Sequence, residues 1–167
     1  MVKIAFGYKR RVGKDTSCDY LIKKYGGIKL SFAEPLYNIL HFAQGICGFE
    51  QTKDRKFLQF IGTEWARTIN KDIWAELLSN KVKNRENNDC NIFVSDLRFK
   101  NEFKILKDLG FICVKIENKN LNHLDGYTNH QSDEDLDNFN GWDFTINNFE
   151  SLNNLYGQLD RLYLTFT

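Results

Sequence analysis

The stretch VKIAFGYKRRVGKDT, residues 2–16, restricts the fold more than any other part of the chain. Val2 to Phe6 is a short apolar run that ends at Gly7, as a buried strand does. From Thr16 to Lys24 the spacing predicts a helix, with Leu21 and Ile22 on the same face as Cys18 and Tyr25, and Gly26-Gly27 stops it. A loop between a strand and a helix can aim several backbone N–H groups at one phosphate. The helix N-terminus adds partial positive charge. The common phosphate-loop pattern is G-x-x-x-x-G-K-[ST]. Here five residues separate Gly7 from Gly13, and Asp15 stands where Ser or Thr would follow Lys14. Thr16 supplies the hydroxyl one place later, and Asp15 in the first helical turn suits the dipole. The extra residue is expected as a bulge around Arg10 to Val12, with Val12 to Thr16 in normal register on the helix and Lys14 facing the strand-end cleft.

The rest of the chain continues the alternation. Ile28 to Phe32 reads as a strand. Pro35 then opens a helix with Leu36, Ile39, Leu40 and Ala43 as its apolar stripe. Phe57, Leu58, Ile61 and Trp65 recur at helical spacing, with Trp65 expected in the core. Ile73, Leu77 and Leu78 follow behind Asp72, a plausible N-cap. Asn91 to Ser95 reads as a strand, Phe99 to Leu109 as a helix, and Phe111 to Ile116 as a strand. Asp143 to Ile146 and the leucines 152, 155, 159 and 162 give a last strand and a closing helix. Strands alternating with helices predict an α/β fold of the P-loop NTPase type, a parallel sheet sandwiched by helices. Ligands of such sheets bind at the carboxyl ends of the strands. The 167 residues suit one domain, with the Asn- and Asp-rich stretch 118–140 as a lid-like loop.

Charge and cysteine usage narrow the function. The 23 basic and 22 acidic side chains balance, which argues against a general nucleic-acid binder. No apolar run is long enough for a membrane span, so no membrane partner is expected. The four cysteines form no CxxC pair and read as reduced thiols of a cytoplasmic protein. Asp96 follows an apolar strand, as a Mg²⁺-holding acidic residue does, although an Asp there also serves as a helix cap. Arg98, two residues on, has the planar fork that fits phosphate oxygens.

The segments GYKRRVGKDT, LSFAEPLY, LQFIGTEWAR, DIW, VSDLRFKNE and NHQSDEDL occur in an order that resembles viral deoxynucleoside monophosphate kinases, over roughly residues 2–160. The resemblance implies transfer of the ATP γ-phosphoryl to a deoxynucleoside monophosphate with Mg²⁺, and it leaves room for a homodimer. It implies that Gly7, Lys9, Arg10, Gly13, Lys14, Asp15, Thr16 and Ser17 bind ATP, with Thr16 and Asp96 toward the metal. Phe32, Arg55, Gln59, Thr63, Glu64, Arg67, Trp74, Arg98, Glu102 and His130 would form the acceptor site, with Ser132 and Asp133 beside His130. Lys14, Arg67, Asp96 and Arg98 would carry the catalysis. By residue type alone, Phe32, Thr63 and Trp74 suit the core equally, Glu102 suits an exposed helix face, and His130 suits a solvated loop. The family's strand ending in Arg-Pro reads IENKN here, with Asn118 in place of the arginine. Two rival readings are another small-molecule kinase of this fold, such as a dephospho-coenzyme-A-kinase-like one, and a nucleotide-binding module without catalysis.

Overall fold

The structure is a computed structural model and describes residues 1–85, 89–118 and 131–167. The chain runs β1 (Lys3–Gly7), α1 (Lys14–Tyr25), β2 (Ile28–Leu30) and α2 (Glu34–Ile46). Then come α3 (Arg55–Gln59), a π-helical turn (Phe60–Trp65), α4 (Ala66–Ile69) and α5 (Ile73–Lys83). The second half contains β3 (Ile92–Leu97), α6 (Lys100–Asp108), β4 (Ile112–Glu117), α7 (Gln131–Glu134), β5 (Phe144–Asn147) and α8 (Leu152–Leu164).

The five strands form one sheet in the order β2-β3-β1-β4-β5, and every pairing is parallel. Side chains alternate across its two faces, as a period of two requires. Ile4, Phe6, Phe93, Val114 and Ile116 pack with Cys18 and Leu21 of α1 and with Leu155, Leu159 and Leu162 of α8. Ala5, Ile92, Val94 and Cys113 face the other way, against Trp74, Leu78 and Val82 of α5 and Phe103 and Leu106 of α6. Helices therefore cover both faces, which explains why the central strands are apolar throughout. From β1 the chain passes to β2 and β3 on one side, then crosses to β4 and β5 on the other. The carboxyl ends of β1 and β3 thus flank the switch point where this fold binds ligands.

Two expectations need correction. Trp65 is not core: it is 48% exposed. The spacing of Phe57, Ile61 and Trp65 assumed one regular α-helix, but residues 60–65 form a π-helical turn in which the Ala66 N–H reaches the Ile61 carbonyl. The wider turn rotates Trp65 outward and turns Gly62 and Ala66 inward. The stretch 118–140 is also not all loop. Residues 131–134 are helical, and Leu136 is buried in the core with Phe139 and Trp142 packed nearby. The expected lid residues 119–130 lie outside the described residues. The four cysteines are free thiols, as the sequence suggests. Among the described residues no helix is long and apolar enough to cross a membrane.

Candidate active site

The first loop leaves β1 at Gly7 and enters α1 at Lys14. Three of its residues have positive φ: Tyr8 at 94°, Arg11 at 59° and Gly13 at 104°. Arg11, in the left-handed region, lies inside the span expected to absorb the extra residue. Gly13 precedes the helix, so α1 starts at Lys14 and its first N–H groups open toward the loop. Asn148, at the end of β5, holds this loop from outside. Its side-chain amide donates to the Val12 carbonyl at 2.9 Å. A Cβ on Gly13 would stand 2.7 Å from that same amide nitrogen. Gly7 serves packing: a Cβ there would collide with the Trp142 ring.

Lys14 is buried, and its ammonium donates to the Tyr8 carbonyl at 3.3 Å and to the Lys9 carbonyl. It therefore points into its own loop and not into the neighbouring cleft, which corrects the expectation that Lys14 faces the strand-end cleft. Carbonyl oxygens are the acceptors a bare ammonium finds there. Ser17 is also turned inward, with its hydroxyl donating to the Gly13 carbonyl at 2.9 Å, while Thr16 is exposed on the first turn of α1. Lys9 forms an ion pair with Asp137, and Lys115 of β4 sits 4.3 Å above the Tyr8 ring.

A cleft of about 390 Å³ opens beside this loop, at the carboxyl ends of β2 and β3. Arg10 reaches it from the loop, Asp15 from the first turn of α1, and Asp96 and Arg98 from the end of β3. Its other wall is the α3–π–α4 segment, which contributes Arg55, Gln59, Thr63 and Arg67. Phe32, Trp74 and Glu102 complete the set expected there. Gly7, Lys9, Gly13, Lys14, Thr16 and Ser17 do not line it. Glu64 is exposed and faces away from it. His130 lies outside the described residues, and nothing is described of the Asp133 side chain. Ser132 does line the cleft. Tyr37 and Lys53 also line it, with the Lys53 ammonium 5.7 Å from the centre of the Tyr37 ring. Neither was named as a site residue, although Tyr37 closes the segment LSFAEPLY that carries part of the resemblance.

Internal bonds fix the walls. Asp96 is more than a strand-end carboxylate. It accepts the Ser31 hydroxyl at 2.6 Å and the backbone N–H groups of Phe32 at 3.0 Å and Ala33 at 2.9 Å. It thereby ties β3 to the turn between β2 and α2. Trp74 is both core and wall: its indole N–H donates to the Gly62 carbonyl at 2.8 Å, inside the π-helical turn. Arg67 donates to Glu102 at 2.6 Å and to the Lys71 carbonyl at 3.0 Å, and lies 3.9 Å from the centre of the Phe99 ring. Glu102 is only 2% exposed, which corrects the reading of it as a surface residue. Burial pushes its carboxyl up to about 7, against the opposing pull of Arg67 and the Arg98 and Phe99 N–H groups.

The site combines a phosphate-type loop, a helix N-terminus and a cleft rich in arginine. A family model described as deoxynucleotide monophosphate kinase matches residues 48–159, well over half of the chain. This chain belongs to the deoxynucleotide monophosphate kinase family. It is therefore a kinase-family protein, and the matched span contains Arg67, Asp96, Arg98 and Glu102. A protein of Acanthamoeba polyphaga mimivirus, provisionally named a deoxynucleotide monophosphate kinase, is 27% identical over 95% of this chain and 94% of its own length. That similarity extends the kinship over the first loop as well. An uncharacterized protein of Ictalurid herpesvirus 1, ORF77, is 30% identical over 81% of this chain, which spans 59% of that protein. Two solved structures share the fold. A dephospho-CoA kinase from Campylobacter jejuni matches with TM-score 0.57 at 17% identity, over 97% of this chain and 95% of that one. A sugar kinase from Janibacter sp. HTCC2649 matches with TM-score 0.55 at 11% identity, over 99% and 94%. Both support the P-loop-type α/β architecture of this family member.

Proposed function

We propose that this protein transfers the γ-phosphoryl of ATP to a deoxynucleoside monophosphate, giving ADP and a deoxynucleoside diphosphate. The observation that carries the reading is the charge of the cleft. Arg10, Lys53, Arg55, Arg67 and Arg98 line one cavity beside the phosphate-type loop. Two of its acidic neighbours, Asp96 and Glu102, are already engaged by internal donors. A cavity with that balance suits phosphate oxygens, which guanidinium forks bind in pairs.

In this reading the loop 7–17 takes ATP and the cleft takes the acceptor. Phosphate oxygens would replace the Tyr8 and Lys9 carbonyls as partners of Lys14. Arg67 and Arg98 align the acceptor phosphate. No general base is required, because a phosphate oxygen is already a nucleophile, and catalysis is positioning plus charge neutralisation. Thr16 and Asp96 are the residues that would hold Mg²⁺, which when bound neutralises charge on the bridging phosphates. A carboxylate offers about four lone-pair sites, and Asp96 already accepts three hydrogen bonds. That fits a cation held through its own waters, the habit of Mg²⁺.

The test is a transfer assay with ATP, Mg²⁺ and each of the four deoxynucleoside monophosphates, with ribonucleotide controls. Transfer to at least one acceptor, lost in Lys14→Ala, is the expected result. Unchanged transfer in Lys14→Ala overturns the role of the loop. Tight ATP binding with no transfer to any acceptor would make the protein a nucleotide-binding module instead.

A further inference from the structure

We propose that Glu102 is a positioning residue that holds Arg67 and the Arg98 turn in one arrangement without touching substrate itself. This rests on the reading of the cleft as a kinase acceptor site. Glu102 lies in the first turn of α6, and its side chain folds back toward the helix start. One oxygen, Oε2, accepts the backbone N–H of Arg98 at 2.9 Å and of Phe99 at 3.1 Å. That is half of a capping box, since Phe99 has no side-chain acceptor to return the bond. These two bonds set the turn from which the Arg98 side chain departs. The other oxygen, Oε1, accepts Nη2 of Arg67 from the opposite wall.

Arg67 is consequently gripped on three sides. Glu102 takes Nη2, the Lys71 carbonyl takes Nη1, and the Phe99 ring supports the guanidinium plane. Two of those three contacts depend on Glu102, one directly and one through the turn that places Phe99. Arg67 Nε is buried and has no hydrogen-bond partner among the described residues. A long arginine held by one carbonyl alone would sample other rotamers, whereas a fork fixed at both nitrogens presents one edge to a ligand. The position of Glu102 also explains how a carboxylate can stand next to a phosphate site. It sits behind Arg67, which faces it directly, and the other charged group acting on it is Asp96 of β3.

The experiment compares wild type at pH 8, where the Glu102 carboxyl is ionised, with Glu102→Gln, which keeps an acceptor for the turn and removes the charge that grips Arg67. Two readouts are taken on the full chain. The first is the Arg67 Nε–H signal in a ¹⁵N-resolved NMR spectrum of the ligand-free protein, identified by its loss in Arg67→Lys. The second is the steady-state split between the KM for the deoxynucleoside monophosphate and the KM for ATP. A slowly exchanging Arg67 signal that is lost in Glu102→Gln is expected. The acceptor KM is expected to rise by about tenfold or more while the ATP KM moves by less than about twofold. A loss of folding would move both constants and would show in the melting curve. An Arg67 signal and acceptor KM that match wild type overturn the proposal. If wild type transfers to no acceptor but its Arg67 signal is still lost in Glu102→Gln, the positioning role stands and the kinase reading fails.

Discussion

Replacing Asp96 separates a structural carboxylate from a metal-binding one. In the structure Asp96 accepts three hydrogen bonds from the turn 31–33. Asp96→Ala removes all three acceptors. The losses are unequal. The N–H of Ala33 keeps a second acceptor, the Ser31 hydroxyl oxygen at 3.1 Å, and that hydroxyl can itself turn to water. The N–H of Phe32 has no such substitute in the structure, and Phe32 is buried. Leaving one buried N–H unpaired costs about 1–3 kcal/mol, and loss of a further bond to a charged acceptor adds roughly 1 kcal/mol. The sum is about 2–4 kcal/mol, a large part of the stability of a domain of ordinary size. Urea unfolding followed by tryptophan fluorescence, in EDTA and without nucleotide, measures it with any metal contribution absent. Hydrogen exchange should locate it, with the Phe32 amide exchanging much faster in the variant. A double-mutant cycle with Ser31→Ala should show coupling, since the two side chains touch. An Asp96→Ala protein within about 1 kcal/mol of wild type would refute the reasoning and return Asp96 to a purely functional role.

Two further predictions follow from burial. Trp74→Ala should destabilise by about 3–5 kcal/mol and Trp65→Ala by less than about 1 kcal/mol, because only the first empties a packed site and strands a carbonyl; equal losses in urea unfolding would contradict the outward rotation of Trp65. Glu102 holds its proton to about 7 in the folded chain and to 4.5 unfolded, so the folded state binds more protons between those values. Wild type should therefore lose stability relative to Glu102→Gln as pH rises through that window, by up to about 3 kcal/mol. Unfolding curves at pH 4.5 and pH 8 check it, and a gain on raising the pH would refute it.

Much of the sheet was legible because buried parallel strands announce themselves. NIFVSD and FICVKI are apolar runs bounded by turn residues, and they became β3 and β4. The helix 55–69 was legible as a helix but not in its detail. Nothing in the spacing of Phe57, Ile61 and Trp65 signals the π-helical turn, which depends on tertiary contacts such as the Trp74 bond to the Gly62 carbonyl. The convergence of Arg55, Gln59, Thr63 and Arg67 with Arg98 came from the resemblance to a family, since composition carries no information about which segments meet. Asn148 shows the limit plainly. Its grip on Val12 joins residues 136 apart in the chain, and an Asn after a strand has many commoner uses. The Lys9–Asp137 pair is invisible for the same reason.

Several features that break local rules lie around the loop and the cleft, although Asp89 with φ 41° and the buried Gln44 Oε1 lie elsewhere. Tyr8 has φ 94° without being glycine, and Arg11 sits in the left-handed region. The wall of the cleft contains a π-helical turn. Arg67 has a buried N–H with no partner among the described residues, and Glu102 is ionisable, buried and raised to about 7. Each lowers stability on its own terms, and a buried ion pair such as Arg67–Glu102 does not repay the cost of desolvation by itself. A sequence selected for stability alone would fill this region with apolar side chains of similar volume. What the costly arrangement provides is a rigid donor edge beside a basic cavity. An anionic phosphate in the cleft would offset part of this cost, because its charge stabilises the Arg67 guanidinium without displacing Glu102 behind it. ATP phosphates at the loop would separately draw Lys14 away from the Tyr8 and Lys9 carbonyls. Phosphate binding should therefore raise the unfolding midpoint with ligand concentration, as RT ln(1 + [L]/Kd) requires, and a midpoint that does not move would count against the site.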